Sequence, residues 1–456
     1  MQFVEEIREE ENFLKNIFNR FRRRDFSGTT GEAMKNSSYQ LTQNLVFKIG
    51  SLIFTIIIAR LLLPEAMGLY SLALSTIVLL GTFSDLGIGQ AMITYGARFL
   101  GKKDFGKTKG YAKQLFKWKL FLISLSSLVL ITLSYFIAEY YYQKPIFYAI
   151  LVGAIYIPVN SLLGFIETMF KSGENFKVPL FKELIVQILR FVLVPLTILL
   201  FLSSQISKEN LVIVTISAVT FCYFIALLFL VFKAKKKLSF LKYKRKELNE
   251  GEIKGLKKFI YPLSATALAG MFFANIDTLM LGHYVQSEFI AFYTAAFSLA
   301  AGATAIISFM SISLMPIFAK KTGVALENIF RKSRNMVILI SLSAGVFTYF
   351  VAYYVIRIVY GVEYLPAVSV LKIFAIMIAL MPISGLFRSY FTTQNKTKVL
   401  AWLIIGSAVL NIVFNYFGIN YGMRISGDMG GVYGACVATV LSRVLYLTGL
   451  VIFRKR

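Results

Sequence analysis

The sequence predicts an all-α polytopic membrane protein of about 12 transmembrane helices, built as two six-helix lobes related by a pseudo-two-fold axis along the membrane normal. Three observations carry this. Twelve apolar stretches of roughly 20 residues recur along the chain, each long enough to cross a hydrocarbon core of about 30 Å. The basic residues fall on alternate sides of those stretches. The second half of the chain repeats features of the first at a nearly constant offset.

The stretches lie near 42–62, 67–90, 116–138, 146–169, 181–203, 210–232, 258–282, 289–317, 335–356, 367–387, 399–419 and 431–453. With the N-terminus on the inner side, 40 of the 49 Lys and Arg residues lie in inner segments. Only Arg60, Lys144, Lys208, Arg357 and Arg424 fall in outer turns, and Lys48, Arg190, Lys372 and Arg443 sit within helices. This is the charge bias that sets membrane orientation, so both termini are expected on the cytoplasmic side of a cell membrane. Composition agrees: 57% of residues are hydrophobic, above the usual share for a soluble domain. The net charge of +26 is therefore read as cytoplasmic turns facing anionic headgroups, not as a nucleic-acid surface. One histidine and two cysteines, both in apolar stretches, make a disulfide framework, a metal centre or another cofactor an unfavoured reading.

Residues 1–40 lack the continuous apolar core of a signal peptide. Val4, Ile7, Leu14, Phe18 and Phe21 recur at helical spacing, with Arg22, Arg23 and Arg24 beside them, which predicts an amphipathic cytoplasmic segment on the inner leaflet. Ser27-Gly28-Thr29-Thr30-Gly31 reads as a flexible joint. Helices 1–6 occupy 41–232 and form the N-lobe. A basic cytoplasmic inter-lobe loop spans 233–257, and helices 7–12 form the C-lobe over 258–456. The segments 98–117 and 233–258 combine basic residues with Phe99, Phe105, Phe116, Leu238, Phe240 and Leu241, and are expected as surface helices.

The repeat supports the division. IARLLLPEAMGLYSLALS (58–75) aligns without gaps on LGHYVQSEFIAFYTAAFS (281–298), an offset of 223 that places Tyr70 on Tyr293 and Ser75 on Ser298. FKSGENFKV (170–178) aligns on FTTQNKTKV (391–399) at an offset of 221. Six crossings per half give both halves the same orientation, as in transporters that rock two bundles about a central site.

The stretch IIIARLLLPEAMGLYSLALSTIVLLGTFSDLGIGQA (56–91) resembles the first helix pair of polysaccharide-transport flippases, within the multidrug/oligosaccharidyl-lipid/polysaccharide exporter superfamily. ANIDTLMLGHYVQSEFIAFYTAAFSL (274–299) resembles the opening of their second lobe, and NKTKVLAWLIIGSAVLNIVFNYFGI with GGVYGACVATVLSRV is similar to their closing helices. The resemblance covers 35–456. It implies a central cavity faced by the first two helices of each lobe, and a polyprenyl-diphosphate-linked saccharide as cargo. It also points to Arg60 in ARLL, Asp85 in SDLG and Asp277 in NIDTL.

Ionisable groups at membrane depth are costly and mark functional or paired positions. Lys48, Arg60, Arg190 and Arg443 are therefore candidate ligands for a diphosphate, whose geometry suits guanidinium donors. Each has a plainer reading: Lys48 snorkelling to the inner surface, Arg60 pairing with Glu65, and Arg190 or Arg443 in a structural ion pair. Asp85 and Asp277 are candidate ion-coupling or gating groups for H+ or Na+, or helix-packing partners of an arginine. The leading function is a flippase that moves lipid-linked oligosaccharide or polysaccharide repeat units by alternating access. A cation-coupled multidrug exporter is the alternative, and a membrane glycan polymerase or glycosyltransferase is a weaker one, because the outer turns are short. The chain is not expected to be an enzyme, to use a cofactor or to bind nucleic acid. No nucleotide-binding motif is seen.

Overall fold

The computed structural model describes residues 28–455, apart from 205 and 395. Every regular element among them is helical. In chain order these are α1 (Gly28–Thr82), α2 (Ile88–Gly101), α3 (Phe105–Tyr135) with a π-helical extension (Phe136–Tyr142), α4 (Phe147–Ser172), α5 (Lys177–Leu202) and α6 (Lys208–Lys237). A 3-10 turn (Ser239–Lys242) precedes α7 (Glu250–Tyr284), α8 (Ser287–Ser313), α9 (Met315–Lys320), α10 (Gly323–Val359), α11 (Ala367–Thr393) and α12 (Thr397–Lys455), with a second 3-10 turn at Val362–Tyr364.

Among the described residues, ten helices are long and apolar enough to cross a membrane. Two of them contain a backbone break. In α1, Leu63 takes φ 60° beside Pro64, which has no amide proton to continue the ladder. In α12, Ser426 and Gly427 leave helical geometry. Each break is a hairpin. Gln43 in α1 reaches Glu167 at the basic end of α4, Arg60 reaches the opposite end of α10, and Leu86 after α1 lies again beside the basic end of α7. In α12 the two arms pack so closely that a Cβ on Gly434 would stand 1.9 Å from the Gly418 carbonyl, so only glycine fits there. Twelve crossings result, six in each lobe, as expected.

Some boundaries differ. The second crossing ends at Thr82 and not near 90, because Phe83–Gly87 turns the chain; Gly87 sits at φ 84°. Beyond that turn the chain forms the separate helix α2. The 98–117 segment is the end of α2 and the start of α3, divided by a turn. The 233–258 segment is not a surface helix. It holds the ends of α6 and α7, the short 3-10 turn, and an extended strand of chain laid against α3. The helix also runs through Gly28–Gly31, so no joint interrupts it there. The predicted amphipathic face at Val4–Phe21 lies outside the described residues.

The inter-lobe strand is held by specific contacts. The Lys246 amide donates to the Gly106 carbonyl (3.1 Å), and Lys109 Nζ donates to the carbonyls of Leu241 (2.6 Å) and Tyr243 (2.9 Å). Phe105 stacks on Tyr243 at 4.7 Å. The Lys107 amide and then the Lys246 ammonium hold the Asp104 carboxyl below its ordinary range, and Lys107 Nζ pairs with Glu252 (2.6 Å). A Cβ on Gly110 would meet the Lys246 carbonyl at 2.3 Å. Gly110→Val is therefore expected to lift the strand from α3. Trypsin cleavage at 242–246 in detergent should become about tenfold faster, a change of about 1.4 kcal/mol in local opening. An unchanged digestion course would mean that this contact does not hold the strand.

The lobes meet on the side opposite the basic turns. The repeat seen in sequence is visible here in space: Ser71 and Thr294, 223 residues apart, share a hydrogen bond (3.4 Å) across the interface. A Cβ on Gly68 would strike the Ser287 carbonyl at 1.7 Å, so backbones touch directly there, and one on Gly282 would strike the Leu72 side chain at 2.3 Å. One helix straddles the division. The start of α7 packs on the N-lobe, where Ser264 Oγ donates to Leu86 O (2.8 Å) and Phe259 meets Tyr95 edge-on at 5.4 Å. Its far end is buried in the C-lobe at Asp277–Leu281.

Orientation is open to direct test. Gln143→Cys, Gln286→Cys and Val362→Cys, all exposed, should react with an impermeant thiol reagent applied outside intact cells, whereas Lys103→Cys, Lys244→Cys and Thr322→Cys should not. Outside labelling at 244 would reverse the assigned orientation.

Candidate functional site

Between the lobes, on the basic half of the molecule, lies a cavity of about 640 Å³. That is within the usual range for ligand sites. Three helices form most of its walls, with Met315 at the start of α9 beside them. The first arm of α1 contributes Phe47, Lys48, Ser51, Leu52 and Thr55; α8 contributes Ser298, Thr304, Ser308 and Ser311 among small residues; α11 contributes Met381, Gly385, Arg388, Ser389 and Thr392. Small residues at Ala301, Gly302, Ala305 and Gly385 keep the volume open. Two cations face it, Lys48 and Arg388. Hydroxyls line the rest, and no acidic side chain appears among the described lining residues.

Of the residues singled out from sequence, only Lys48 lines this cavity. Arg60 sits at the opposite face of the protein, where its Nε donates to Val359 O (2.7 Å) and its Nη2 to Ile358 O. Its expected partner Glu65 pairs with Lys208 instead. Arg190 is buried inside the N-lobe with its guanidinium 3.8 Å from the centre of the Phe54 ring. That contact is a cation–π stack, and Arg190 is not among the residues that line the cavity. Arg443 is half-buried, its guanidinium 4.3 Å from the centre of the Phe273 ring, with Asp277 and Arg388 in its electrostatic surroundings. Lys372 lies over the Tyr349 ring at 5.3 Å, near the face away from the basic turns.

The two aspartates differ sharply. Asp85 accepts from Lys119 Nζ (2.5 Å) and from the Gly89 amide (3.3 Å), so it joins α3 to the first turn of α2. Lys119 is almost wholly buried, and Asp85 neutralises it. Asp277 is buried in the C-lobe. It accepts from Tyr293 Oη (2.7 Å), Thr439 Oγ1 (2.7 Å) and Asn415 Nδ2 (2.5 Å). Beside it, the side-chain oxygens Asn411 Oδ1 and Asn415 Oδ1 are buried without a hydrogen-bond donor. Among the described residues no group of three or more His, Cys, Asp or Glu could hold a metal ion.

Sequence reasoning missed Arg388, Lys119 and Lys182. All three were grouped with inner turns; Arg388 lies beyond the predicted end of its span, and Lys119 and Lys182 at the first residues of theirs. Lys182 lies buried between Glu167 (2.8 Å) and Glu183 (2.9 Å), and Gln43 and Gln187 complete a network joining α1, α4 and α5. The signal for Arg388 was present: the stretch after 387 reads RSYFTT, which is no turn composition.

The profile of the family described as "Polysaccharide biosynthesis protein" matches residues 33–322, well over half of the chain. The chain belongs to that family. A second profile, MatE, matches residues 262–417. The chain's fold is similar to that of a multidrug resistance MATE family transporter of the MOP superfamily in an inward-facing conformation (TM-score 0.67, 14% identity, covering 91% of this chain and 99% of that one). It is similar as well to the lipid II flippase MurJ in an inward closed conformation (TM-score 0.66, 14% identity, 92% and 87%). A third likeness is to the Vibrio cholerae MATE transporter VcmN in the bent form (TM-score 0.53, 15% identity, 91% and 98%). No match was found among curated proteins. At these identities the likenesses show the fold: two lobes, as in MOP transporters.

Proposed function

We propose that this protein is a flippase for polyprenyl-diphosphate-linked oligosaccharide or polysaccharide repeat units, working by alternating access across the cytoplasmic membrane. The observation that carries this reading is the chemistry of the cavity wall. Two cations, Lys48 and Arg388, sit among hydroxyls and face no carboxylate among the described lining residues. A cation at membrane depth is expensive unless something anionic or polar meets it. A diphosphate supplies that, and Arg388 offers the forked donors that match it. Serine and threonine hydroxyls both donate and accept, which suits a saccharide. The lipid tail would remain in the bilayer while the headgroup crosses.

The MatE profile keeps a cation-coupled multidrug exporter as the second reading. An organic cation calls for a cavity acid. Here Asp85 is committed to Lys119 and Asp277 to three donors inside the C-lobe. Asp277 fits a different role. The carboxylate is a hard oxygen acceptor of the kind that H+ or Na+ prefers, and Asn411 and Asn415 carry undonated side-chain oxygens on the helix that meets it. We assign the coupling ion to that cluster. The lobe behind the cavity would sense it through α7 and α12.

The deciding experiment is reconstitution into vesicles with a fluorescent lipid-diphosphate saccharide, scored for transbilayer movement. Movement of this lipid, and none of organic cations, supports the flippase. Efflux of organic cations without lipid movement would place the chain with the exporters.

A further inference from the structure

We infer that the outer face is closed by two equivalent latches, in which Arg60 and His283 each cap the exposed helix end of the opposite lobe. The inference rests on the alternating-access reading above. Arg60 and His283 are the same position in the two repeats, 223 residues apart. Arg60 ends the first arm of α1, and His283 lies at the end of α7. Arg60 reaches into the C-lobe and donates to Ile358 O and Val359 O, the last two carbonyls of α10. His283 reaches into the N-lobe, where its Nδ1 lies 2.6 Å from Tyr141 O in the last turn of the π-helical end of α3. A carbonyl only accepts, so Nδ1 carries the proton. The imidazole also stacks on the Tyr141 ring at 4.7 Å.

The chemistry is the same in both. A helix leaves its last four carbonyls without amide partners, and its C-terminal end carries partial negative charge. A donor from the other lobe satisfies them. α3 and α10 are the third crossings of their lobes, so the two latches are exchanged by the pseudo-two-fold axis. Lys144 reinforces the second by donating to Gly282 O (2.6 Å), again across the interface. None of these bonds survives if the lobes part on this face, and none touches the cavity wall. Closure therefore depends on backbone carbonyls, which no substitution of α3 or α10 removes.

The test uses full-length protein in vesicles, with Cys222→Ala and Cys436→Ala, and Ser298→Cys as a reporter in the cavity. An impermeant thiol reagent is added on the outer side. The Arg60→Ala/His283→Ala protein should label about tenfold faster than its parent. Arg60→Lys/His283→Gln, which keep a donor at each site, should label near the parental rate. A short thiol cross-linker between Tyr141→Cys and His283→Cys should suppress outer labelling, and cleaving the linker should restore it. Labelling in the double-alanine protein that equals the parent's, or labelling that persists with the cross-link closed, overturns the latch. These readouts need no cargo. A parent that moves no lipid-diphosphate saccharide would count against the flippase, while the labelling rates still decide the latch.

Discussion

Arg388→Ala is expected to lower translocation of a lipid-diphosphate saccharide about a hundredfold, with the protein still folded and inserted. The loss corresponds to about 3 kcal/mol, the value of charge-assisted bonds to a phosphate at a partly dry site. Arg388 lies five residues from the end of α11, about 8 Å at 1.5 Å per residue, and faces open volume. Its side chain is exposed to the cavity and has no hydrogen-bond or ion-pair partner among the described residues, so folding should be spared. Lys48→Ala should cost less, about tenfold, because an ammonium is a point charge without the fork. The pair together should exceed either alone. Thermal unfolding in detergent, measured beside vesicle transport, separates the two outcomes. Parental transport by Arg388→Ala would remove the cavity from the pathway of the diphosphate. Arg190→Ala should behave in the opposite sense: its guanidinium is spent on the Phe54 ring, so stability falls before activity does.

Asp277→Ala should be the most damaging single change to stability. It removes the acceptor of three buried donors at once, each costing about 1–3 kcal/mol when left unpaired. It also removes a carboxylate whose charge acts on the half-buried Arg443. Asp277→Asn keeps an oxygen in place and should fold. Its transport should lose any dependence on Na+ or on a pH gradient. An Asp277→Asn protein that keeps the parent's ion dependence would move the coupling site elsewhere, with the Glu167–Lys182–Glu183 network of the N-lobe as the next place to look.

The crossings and the repeat were legible in the sequence because each depends on local pattern: the length of an apolar run, and the side on which lysines fall. Ser71 and Thr294 meet as the 223 offset implies. The ends of helices were less legible. The predicted span of α11 stopped at 387, whereas the helix runs to Thr393 and carries Arg388 into the cavity wall. Lys119 and Lys182 fell just inside predicted spans but were counted with the inner turns, and charged partners on other helices draw them into the protein. The fates of Arg60 and Arg190 were beyond sequence reasoning for another reason. Their partners, the α10 carbonyls and the Phe54 ring, are brought close only by packing of distant segments. Asp277 was found for its type and depth, yet its neighbours Asn411, Asn415 and Thr439 lie over a hundred residues away.

The straddling course of α7 also constrains how the chain is assembled. Its first half is stabilised little by its own lobe: the most apolar window of the helix is 0% buried, and Tyr261 is 82% exposed. Among what it does touch, Leu86, Gly87 and Tyr95 are synthesised more than 150 residues earlier, and Lys107 is 145 residues before its partner Glu252. The seat of α7 on the N-lobe is thus made of residues that leave the ribosome before it does. A C-lobe made alone from residue 258 would therefore lack a seat for its leading helix. Two fragments divided before α7 should recover a native protein only when the N-terminal one is supplied first or together with the other.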